Sequence, residues 1–266
     1  MTGADEATAA DSGRAADPWS RFWGSKESLD TIYPSSPRVV QAVRAHLEKD
    51  GARILEIGAG TGRDTAALAA AGHRAVALDA APEALALTAR AAPALVGRGI
   101  VRGDAFHLPF ADGVFDAVFH QGVLEHFGNP RAFLDENLRV TAPGGLLVVD
   151  VPQRWHAWTA LKRAAIRVDR WFAGWETDFT VDELSRLIEE TGYRVEGAYA
   201  DTMVPSLGYR LAREAAGRAG LRLPMRPAGP APLRRLRAGA RERFLGSRAG
   251  RSLAHTIGVV ARRPAE

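Results

Sequence analysis

The chain of 266 residues contains no cysteine, which excludes a disulfide framework, a cysteine zinc site and a thiol nucleophile. No run approaches the roughly 18 apolar residues of a membrane-spanning helix. The seven histidines are scattered, without the spacing of a zinc site, so no metal is predicted. The first 17 residues lack the basic and apolar regions of a signal peptide. We therefore expect a disordered tail at 1–17 and a cytoplasmic protein, with a peripheral membrane contact left open.

Positive charge is concentrated near the end of the chain. Residues 210–266 contain fourteen arginines and three glutamates, whereas the whole chain has a net charge of +4. Such a segment can attract the phosphates of RNA or of acidic lipids. The Ala- and Arg-rich composition of a GC-rich genome would produce the same bias without any polyanionic ligand. Both interpretations stay open.

Three alternate glycines follow an apolar strand early in the chain. Residues 54–64 have the sequence Ile-Leu-Glu-Ile-Gly-Ala-Gly-Thr-Gly-Arg-Asp, in which Gly58, Gly60 and Gly62 open a helix. Glycine lets backbone N–H groups approach a ligand closely, next to the positive end of the helix. The spacing differs from the Gly-x-Gly-x-x-Gly pattern of dinucleotide sites. The carboxylate of Glu56 would repel a pyrophosphate and indicates a cofactor with an amino group, for which S-adenosylmethionine is suited.

Two further acids follow the next predicted strands. Asp79, with Ala80 beside it, ends strand 74–79, where a carboxylate can accept both hydroxyls of a ribose. Asp104 and Ala105 follow strand 99–102, and this acid can accept the exocyclic amine of adenine. Phe106 is predicted to cover the adenine ring. Acids at three successive strand ends favour one cofactor site.

On the basis of these motifs, the sequence resembles the class I S-adenosylmethionine-dependent methyltransferases. Within this class it is most similar to the enzymes of ubiquinone and menaquinone biosynthesis. The resemblance covers about residues 54–151. It implies a Rossmann-like α/β fold with a seven-stranded sheet, mostly parallel with an antiparallel last strand, and helices on both faces. Helical insertions are expected after strands 5 and 6. The motifs are Ile-Leu-Glu-Ile-Gly-Ala-Gly-Thr-Gly at 54–62, Asp79, Gly-Asp-Ala at 103–105, Leu-Pro-Phe at 108–110, Phe-Asp-Ala-Val at 115–118, Gly-Val-Leu-Glu-His-Phe at 122–127 and Pro-Gly-Gly-Leu-Leu-Val-Val at 143–149.

Two histidines lie where the transferable methyl group should point. His120 ends the predicted strand 114–120, and its backbone carbonyl is placed to receive the ammonium group of the cofactor. His126 lies further towards the substrate, as a general base for a hydroxyl or as a residue that orients the loop. Trp23 and Tyr33 are further substrate candidates, because the segment ahead of the first helix folds over the cofactor in similar enzymes.

The regular alternation of strands and helices stops after residue 151. Residues 154–172 form a basic amphipathic helical stretch, and four of the six tryptophans lie between 155 and 175. Trp155 and Trp158 are therefore candidates for an apolar lid over the acceptor. Simple packing of the insertion on the sheet and an interfacial membrane helix are the alternatives.

These observations predict one domain at 18–266, with an N-terminal cap at 18–51, a cofactor-binding core at 52–151, a lid-like insertion at 152–179 and sheet completion with a basic helical insertion at 180–266. The predicted function is methylation of a small or medium organic acceptor, with O-methylation ahead of N- or C-methylation. A lipid-linked or phosphorylated acceptor at a membrane surface and an RNA acceptor are the alternatives. A fold that binds the cofactor without transferring its methyl group is another.

Overall fold

The computed structural model describes residues 18–26, 37–202, 205–224 and 231–265. The predicted tail at 1–17 and the candidate Tyr33 lie outside the described residues. The strands are β1 Arg53–Ile57, β2 Arg74–Asp79, β3 Ile100–Arg102, β4 Phe115–Gln121, β5 Thr141–Pro152, β6 Arg194–Asp201 and β7 Thr256–Arg262. The α-helices are α1 at 18–24, α2 Arg38–His46, α3 Arg63–Ala70, α4 Pro82–Ala91, α5 Pro130–Val140, α6 Ala157–Arg167, α7 Val181–Glu190, α8 Leu207–Arg218, α9 Ala231–Gly246 and α10 Arg248–Leu253.

The strands form one sheet in the order β3-β2-β1-β4-β5-β7-β6. β1 pairs in parallel with β2 and β4, β2 with β3, and β4 with β5, whereas β7 runs antiparallel to β5 and β6. Helices α3, α4 and α5 connect β1 to β2, β2 to β3 and β4 to β5, as the alternating pattern predicts. The predicted α/β fold with a reversed last strand is therefore confirmed, as are helical insertions after β5 and β6.

Alternate residues of the central strands point to opposite faces of the sheet, and both faces are covered. Leu55 and Val118 belong to the core under α5 and α7. Ile54 and Phe119 belong to the core under α2 and α3. This period-two division is what a strand buried on both faces requires.

Local sequence signals open several helices. Pro82 and Pro130 open α4 and α5, and the side chain of Asn129 accepts a hydrogen bond from the backbone N–H of Ala132. At α2, Pro37 occupies the N-cap and Arg38 is the first residue. At α7, Thr180 and Glu183 form a capping box.

The predicted helical stretch at 154–172 is shorter in the structure. α6 ends at Arg167, and Asp169 adopts a left-handed backbone conformation with φ of 52°. This conformation does not continue a right-handed helix. No helix in the described part of the chain is long and apolar enough to cross a bilayer.

A buried ion pair ties α2 to the sheet beside the glycine turn. Arg38 donates two hydrogen bonds of 2.8 Å to the carboxylate of Asp150 on β5, and it lies 3.7 Å from Asp201 on β6. The carboxylate of Asp150 is almost entirely removed from water. Removing one partner of such a pair leaves an uncompensated buried charge.

We expect Arg38→Met to lower the free energy of unfolding by about 3–5 kcal/mol, because Asp150 remains buried without its counter-charge. Urea denaturation measures the loss. Lys49→Met is the matched control, since it breaks a 2.8 Å pair with Asp116 on β4 from a lysine that is 64% exposed. We expect the control to cost less than about 1 kcal/mol. Equal losses in the two variants would contradict the assignment.

Candidate active site

A cavity of about 260 Å³ lies at the carboxyl ends of β1, β2 and β4. Strand β1 has β2 on one side and β4 on the other, so the order of the strands reverses at β1. Open α/β sheets bind ligands at such switch points. The cavity brings together many of the residues predicted from the sequence. Its walls include Trp23, Gly58, Asp79, Ala80, Asp104, Ala105 and His126.

The turn between β1 and α3 has no room for side chains at its three glycines, and a Cβ on Gly58 would lie 2.4 Å from Cγ2 of Val123. Gly60 and Gly62 have φ of 54° and 62°, in the left-handed region that favours glycine. A Cβ on Gly60 would lie 2.7 Å from Cζ2 of Trp23, and one on Gly62 would lie 2.4 Å from Cγ2 of Thr88. The turn is therefore packed between α1 and α4.

Asp79 holds this turn against the end of β2. Its Oδ2 accepts a 2.8 Å hydrogen bond from the backbone N–H of Gly60, and its Oδ1 accepts one of 2.9 Å from Ala81. Burial raises the pKa of Asp79, while these backbone donors and that of Ala80 act in the opposite direction. Three backbone donors occupy about three of the four lone-pair sites of a carboxylate, which leaves Asp79 room for a further donor. The ribose contact of Asp79 stays a prediction that this position favours.

Asp104 lines the cavity, but Phe106 does not. Asp104 accepts a 3.0 Å bond from the backbone N–H of Phe106, and its other oxygen lies 2.9 Å from Nδ1 of His107. The ring of Phe106 packs edge-on against Phe127 at 4.7 Å and belongs to the sheet core. The prediction that Phe106 covers the adenine ring is corrected, because this apolar ring is taken up by the aromatic cluster beneath the site.

Glu56 lies behind the turn and not among the residues that line the cavity. It accepts a 2.9 Å bond from the backbone N–H of Thr65 and a second bond from the Thr65 hydroxyl. Burial, with the nearby Asp64, raises the pKa of Glu56 to about 8. Glu56 therefore joins β1 to the first turn of α3. The expected direct contact between Glu56 and an amino group of the cofactor is corrected.

His120 is not the last residue of β4. It pairs within the sheet with Ile57 and Val149, and the strand continues to Gln121, which lines the cavity. The imidazole is fully buried against Phe133, and burial lowers the pKa of His120 to about 3. His120 is therefore a neutral core histidine, and the predicted strand end moves by one residue.

His126 closes the other side of the cavity, at the end of a 3-10 helix Leu124–His126. Its Nδ1 lies 3.9 Å from a carboxylate oxygen of Glu176, and its Nε2 lies 4.0 Å from one of Glu125. Burial lowers the pKa of His126, whereas Glu176 opposes that shift. A neutral imidazole on the wall of a cavity can accept a proton.

A buried network connects His126 to the insertion at 152–179. Lys162 on α6 pairs with Glu176 and lies 3.1 Å from Asp178, and all three side chains are almost fully buried. Trp171 donates its indole N–H to Glu176 at 2.5 Å. Sequence reasoning missed this network, because Lys162, Glu176 and Asp178 are typical surface residue types without a recognisable spacing.

Helix α1 supplies an aromatic wall that was predicted only in part. Trp19, Phe22 and Trp23 all line the cavity. Trp19 packs edge-on against His126, with ring centroids 4.9 Å apart. The spacing of the three aromatic residues at i, i+3 and i+4 is a helical signal that could have found Trp19 and Phe22.

The tryptophans proposed for the lid do not line the cavity. Trp155 is 61% exposed, and Trp158 packs edge-on against Trp171 within the insertion. Phe172 makes the contact instead, because its ring stacks on Phe22 at 4.7 Å. The insertion therefore reaches the site through Phe172, and the substrate roles of Trp155 and Trp158 are corrected.

The charge of the cavity fits S-adenosylmethionine. Asp79 and Asp104 line it, and among the described residues no lysine or arginine does. An acidic wall favours a ligand with a sulfonium and an ammonium group over one with phosphates.

Comparison with known proteins identifies the cofactor half of the chain. Residues 55–149 match a family model described as a methyltransferase domain. The chain is 43% identical over 111 residues to a demethylmenaquinone methyltransferase of Renibacterium salmoninarum, covering 42% of this chain and 44% of that protein. It is 42% identical over 110 residues to one of Clavibacter sepedonicus, covering 41% and 45%. The chain thus spans less than half the length of these curated relatives.

Solved structures share the fold over nearly the whole chain. An S-adenosylmethionine-dependent methyltransferase of Thermotoga maritima aligns with a TM-score of 0.62 at 17% identity, over 94% of this chain and 99% of that chain. The cyclase SpnF aligns with a TM-score of 0.59 at 19% identity, over 95% and 94%.

Residues 55–149 thus match a methyltransferase domain, and the sheet has the fold of a solved S-adenosylmethionine-dependent methyltransferase. Over these residues the predicted similarity to methyltransferases is confirmed. The methyltransferase domain is carried by residues 55–149, and S-adenosylmethionine is the cofactor that the family and the fold imply.

We expect Gly60→Ala to weaken S-adenosylmethionine binding by roughly tenfold or more, because the new Cβ meets Trp23 and displaces the turn. Gly72→Ala is the matched control, since Gly72 also has a positive φ, of 95°, but open space around it. Isothermal titration calorimetry should give the control an affinity within about twofold of wild type. Equal affinities for both variants would refute the close approach at Gly60.

Proposed function

We propose that the chain methylates a hydroxyl group of a small apolar acceptor held between His126 and the aromatic wall of α1. The observation that carries this proposal is the position of His126. Its imidazole lines the cavity, burial lowers its pKa, and Glu176 lies behind its Nδ1. A neutral histidine in that position is suited to remove the proton of a hydroxyl.

Different residues of the site bind the cofactor and transfer the proton. Gly58, Gly60, Asp79 and Asp104 would hold the cofactor. When bound, the cofactor would supply a sulfonium methyl group, whose carbon an acceptor oxygen can attack while the thioether leaves. His126 takes the hydroxyl proton. Glu176 favours the imidazolium that forms, because its carboxylate raises the pKa of His126. Orientation and the exclusion of water by the surrounding aromatic rings supply the rest.

The walls of the cavity favour a flat, apolar acceptor. Trp19, Phe22, Trp23 and Phe127 line it together with His126. Aromatic rings pack against one another in stacked and edge-on arrangements. Because the relatives are named demethylmenaquinone methyltransferases, quinols are included among the acceptors to be tested. The similarity to these relatives lies in the cofactor half of the chain.

We also propose that 18–266 is one domain in which the cap at 18–51 and the insertion at 152–179 enclose the site. The stacking of Phe22 on Phe172 supports this, because it joins α1 to the insertion at the cavity. The edge-on packing of Trp19 against Phe172, at 5.2 Å, supports the same closure.

An assay with S-adenosylmethionine that carries a deuterated methyl group tests the function. Phenols, quinols and matched amines are offered as acceptors, and mass spectrometry locates the label. We expect label on oxygen together with S-adenosylhomocysteine. Label on nitrogen or carbon would overturn O-methylation. Conversion of an acceptor without S-adenosylhomocysteine would show that the fold carries another reaction, as it does in the cyclase SpnF.

With a hydroxyl acceptor, we expect His126→Asn to lower kcat by roughly 10²–10⁴ while the affinity for S-adenosylmethionine stays within about twofold. The acidic limb of the wild-type kcat/KM profile should lie below the ordinary pKa of histidine, because burial lowers the pKa of His126. His46→Asn, at the end of α2, is the control and should leave kcat unchanged. A fall in kcat of less than about fivefold would remove His126 from the mechanism.

Glu176→Gln extends this test to the residue behind the imidazole. The carboxylate of Glu176 raises the pKa of His126, so its removal should move the acidic limb to lower pH. Glu125 and Lys162 remain near the ring in this variant. A lower kcat with an unmoved limb would indicate that Glu176 acts on packing alone.

A further inference from the structure

Large apolar side chains are exposed in one part of the molecule. Among the described residues, eleven of the twelve exposed large apolar side chains lie between 155 and 253, and Val96 is the other. Those in the first insertion include Trp155, Leu161, Val168 and Trp175. Isolated exposed apolar residues are ordinary, but such a concentration marks an interaction surface.

The orientation of α6 leaves part of its apolar surface exposed. The helix buries Thr159 and Lys162, and Lys162 is only 2% exposed because Glu176 and Asp178 pair with it beneath the helix. Leu161, next in sequence, is 54% exposed, and Val168 is 63% exposed. A helix that packed on the sheet to bury apolar area would be turned the other way.

The second insertion repeats this feature. α8 contains no buried residue, although Leu211 lies on it and Leu221 follows it, both exposed. On α9, Leu236 and Phe244 are exposed as well. Short helices gain most of their stability from packing an apolar face, and a partner for this face is therefore expected.

The two insertions adjoin each other. The side-chain amide of Gln153 donates a 3.0 Å hydrogen bond to the backbone carbonyl of Arg251 on α10. The rings of His156 and His255 pack edge-on with centroids 4.9 Å apart. These contacts place the start of α6 beside the end of α10, and α9 packs against α10. The exposed apolar residues of α6 and α9 therefore lie on adjoining elements.

Arginines accompany the exposed apolar residues. Exposed examples are Arg167 and Arg170 in the first insertion and Arg222, Arg243 and Arg248 in the second. Aromatic and aliphatic side chains among arginines are typical of protein surfaces that enter the interface of an anionic bilayer. RNA binding would explain the arginines but not the exposed leucine and valine side chains, because proteins recognise bases by stacking and hydrogen bonds.

We propose that residues 155–175, 207–224 and 236–253 form a docking surface for an anionic lipid membrane. The docking surface is continuous with the cavity, because Phe172 is exposed and also contacts Trp19 and Phe22 on the cavity wall. An apolar acceptor can pass from the lipid to the site along these rings. This route rests on the proposed function, whereas membrane binding itself does not.

Sedimentation of the full chain with phosphatidylcholine vesicles, with and without phosphatidylglycerol, tests the docking surface without any acceptor. We expect binding only when the anionic lipid is present. The charge-neutral triple variant Leu161→Ser, Val168→Ser, Trp175→Ser should lower the bound fraction roughly tenfold or more. The arginine triple variant Arg167→Gln, Arg170→Gln, Arg248→Gln should do the same, and its residual binding should depend less steeply on salt than that of the wild type.

Val96→Ser with Arg98→Gln is the matched control, because both residues are exposed outside the docking surface. It should sediment like the wild type. Unchanged S-adenosylmethionine affinity shows that each variant is folded. No sedimentation of the wild type, or equal sedimentation of all variants, would overturn the proposal. So would an RNA mobility shift without vesicle binding, or a dimer in light scattering that the apolar variant alone abolishes.

Discussion

The active site depends on one constraint, the close approach of the turn after β1 to the side chains around it. Asp79 fixes the backbone N–H of Gly60 from the end of β2, while Trp23 and Thr88 occupy the space that a Cβ on Gly60 or Gly62 would need. The same carboxylate helps to make the cavity acidic. The position of the turn, the shape of the cofactor cavity and the place of α1 over it are therefore set together.

A second set of contacts extends this site into the less regular half of the chain. Lys162 and Glu176 are buried together, and Glu176 lies beside His126. Burying a lysine is costly unless carboxylates pair with it, which is what Glu176 and Asp178 do. The pairing fixes α6 with its charged side inward. One network thus lies beside the proposed base and leaves Leu161 of α6 exposed.

The comparisons divide the chain in the same way. Similarity to curated methyltransferases is confined to about 41–42% of the chain, whereas the fold extends over 94% of it in a solved methyltransferase. The strand ends and the glycine turn lie in the part of the chain that matches the methyltransferase domain. The aromatic wall of α1, His126 and the insertion contact the acceptor side, where enzymes of one fold differ. Acceptor chemistry must therefore be argued from these side chains.

The sequence by itself determined the sheet, the cofactor and the strand-end acids, because strand periodicity, glycine spacing and helix caps are local patterns. It correctly placed Asp79, Asp104, His126 and Trp23 at the cavity. Only the tertiary structure decided that Phe106 and His120 are core residues, that Glu56 binds Thr65 and that Phe172 replaces Trp155. Whether an aromatic or charged side chain is buried depends on partners distant in sequence, as Lys162 and its two acids show, and no local pattern records those partners.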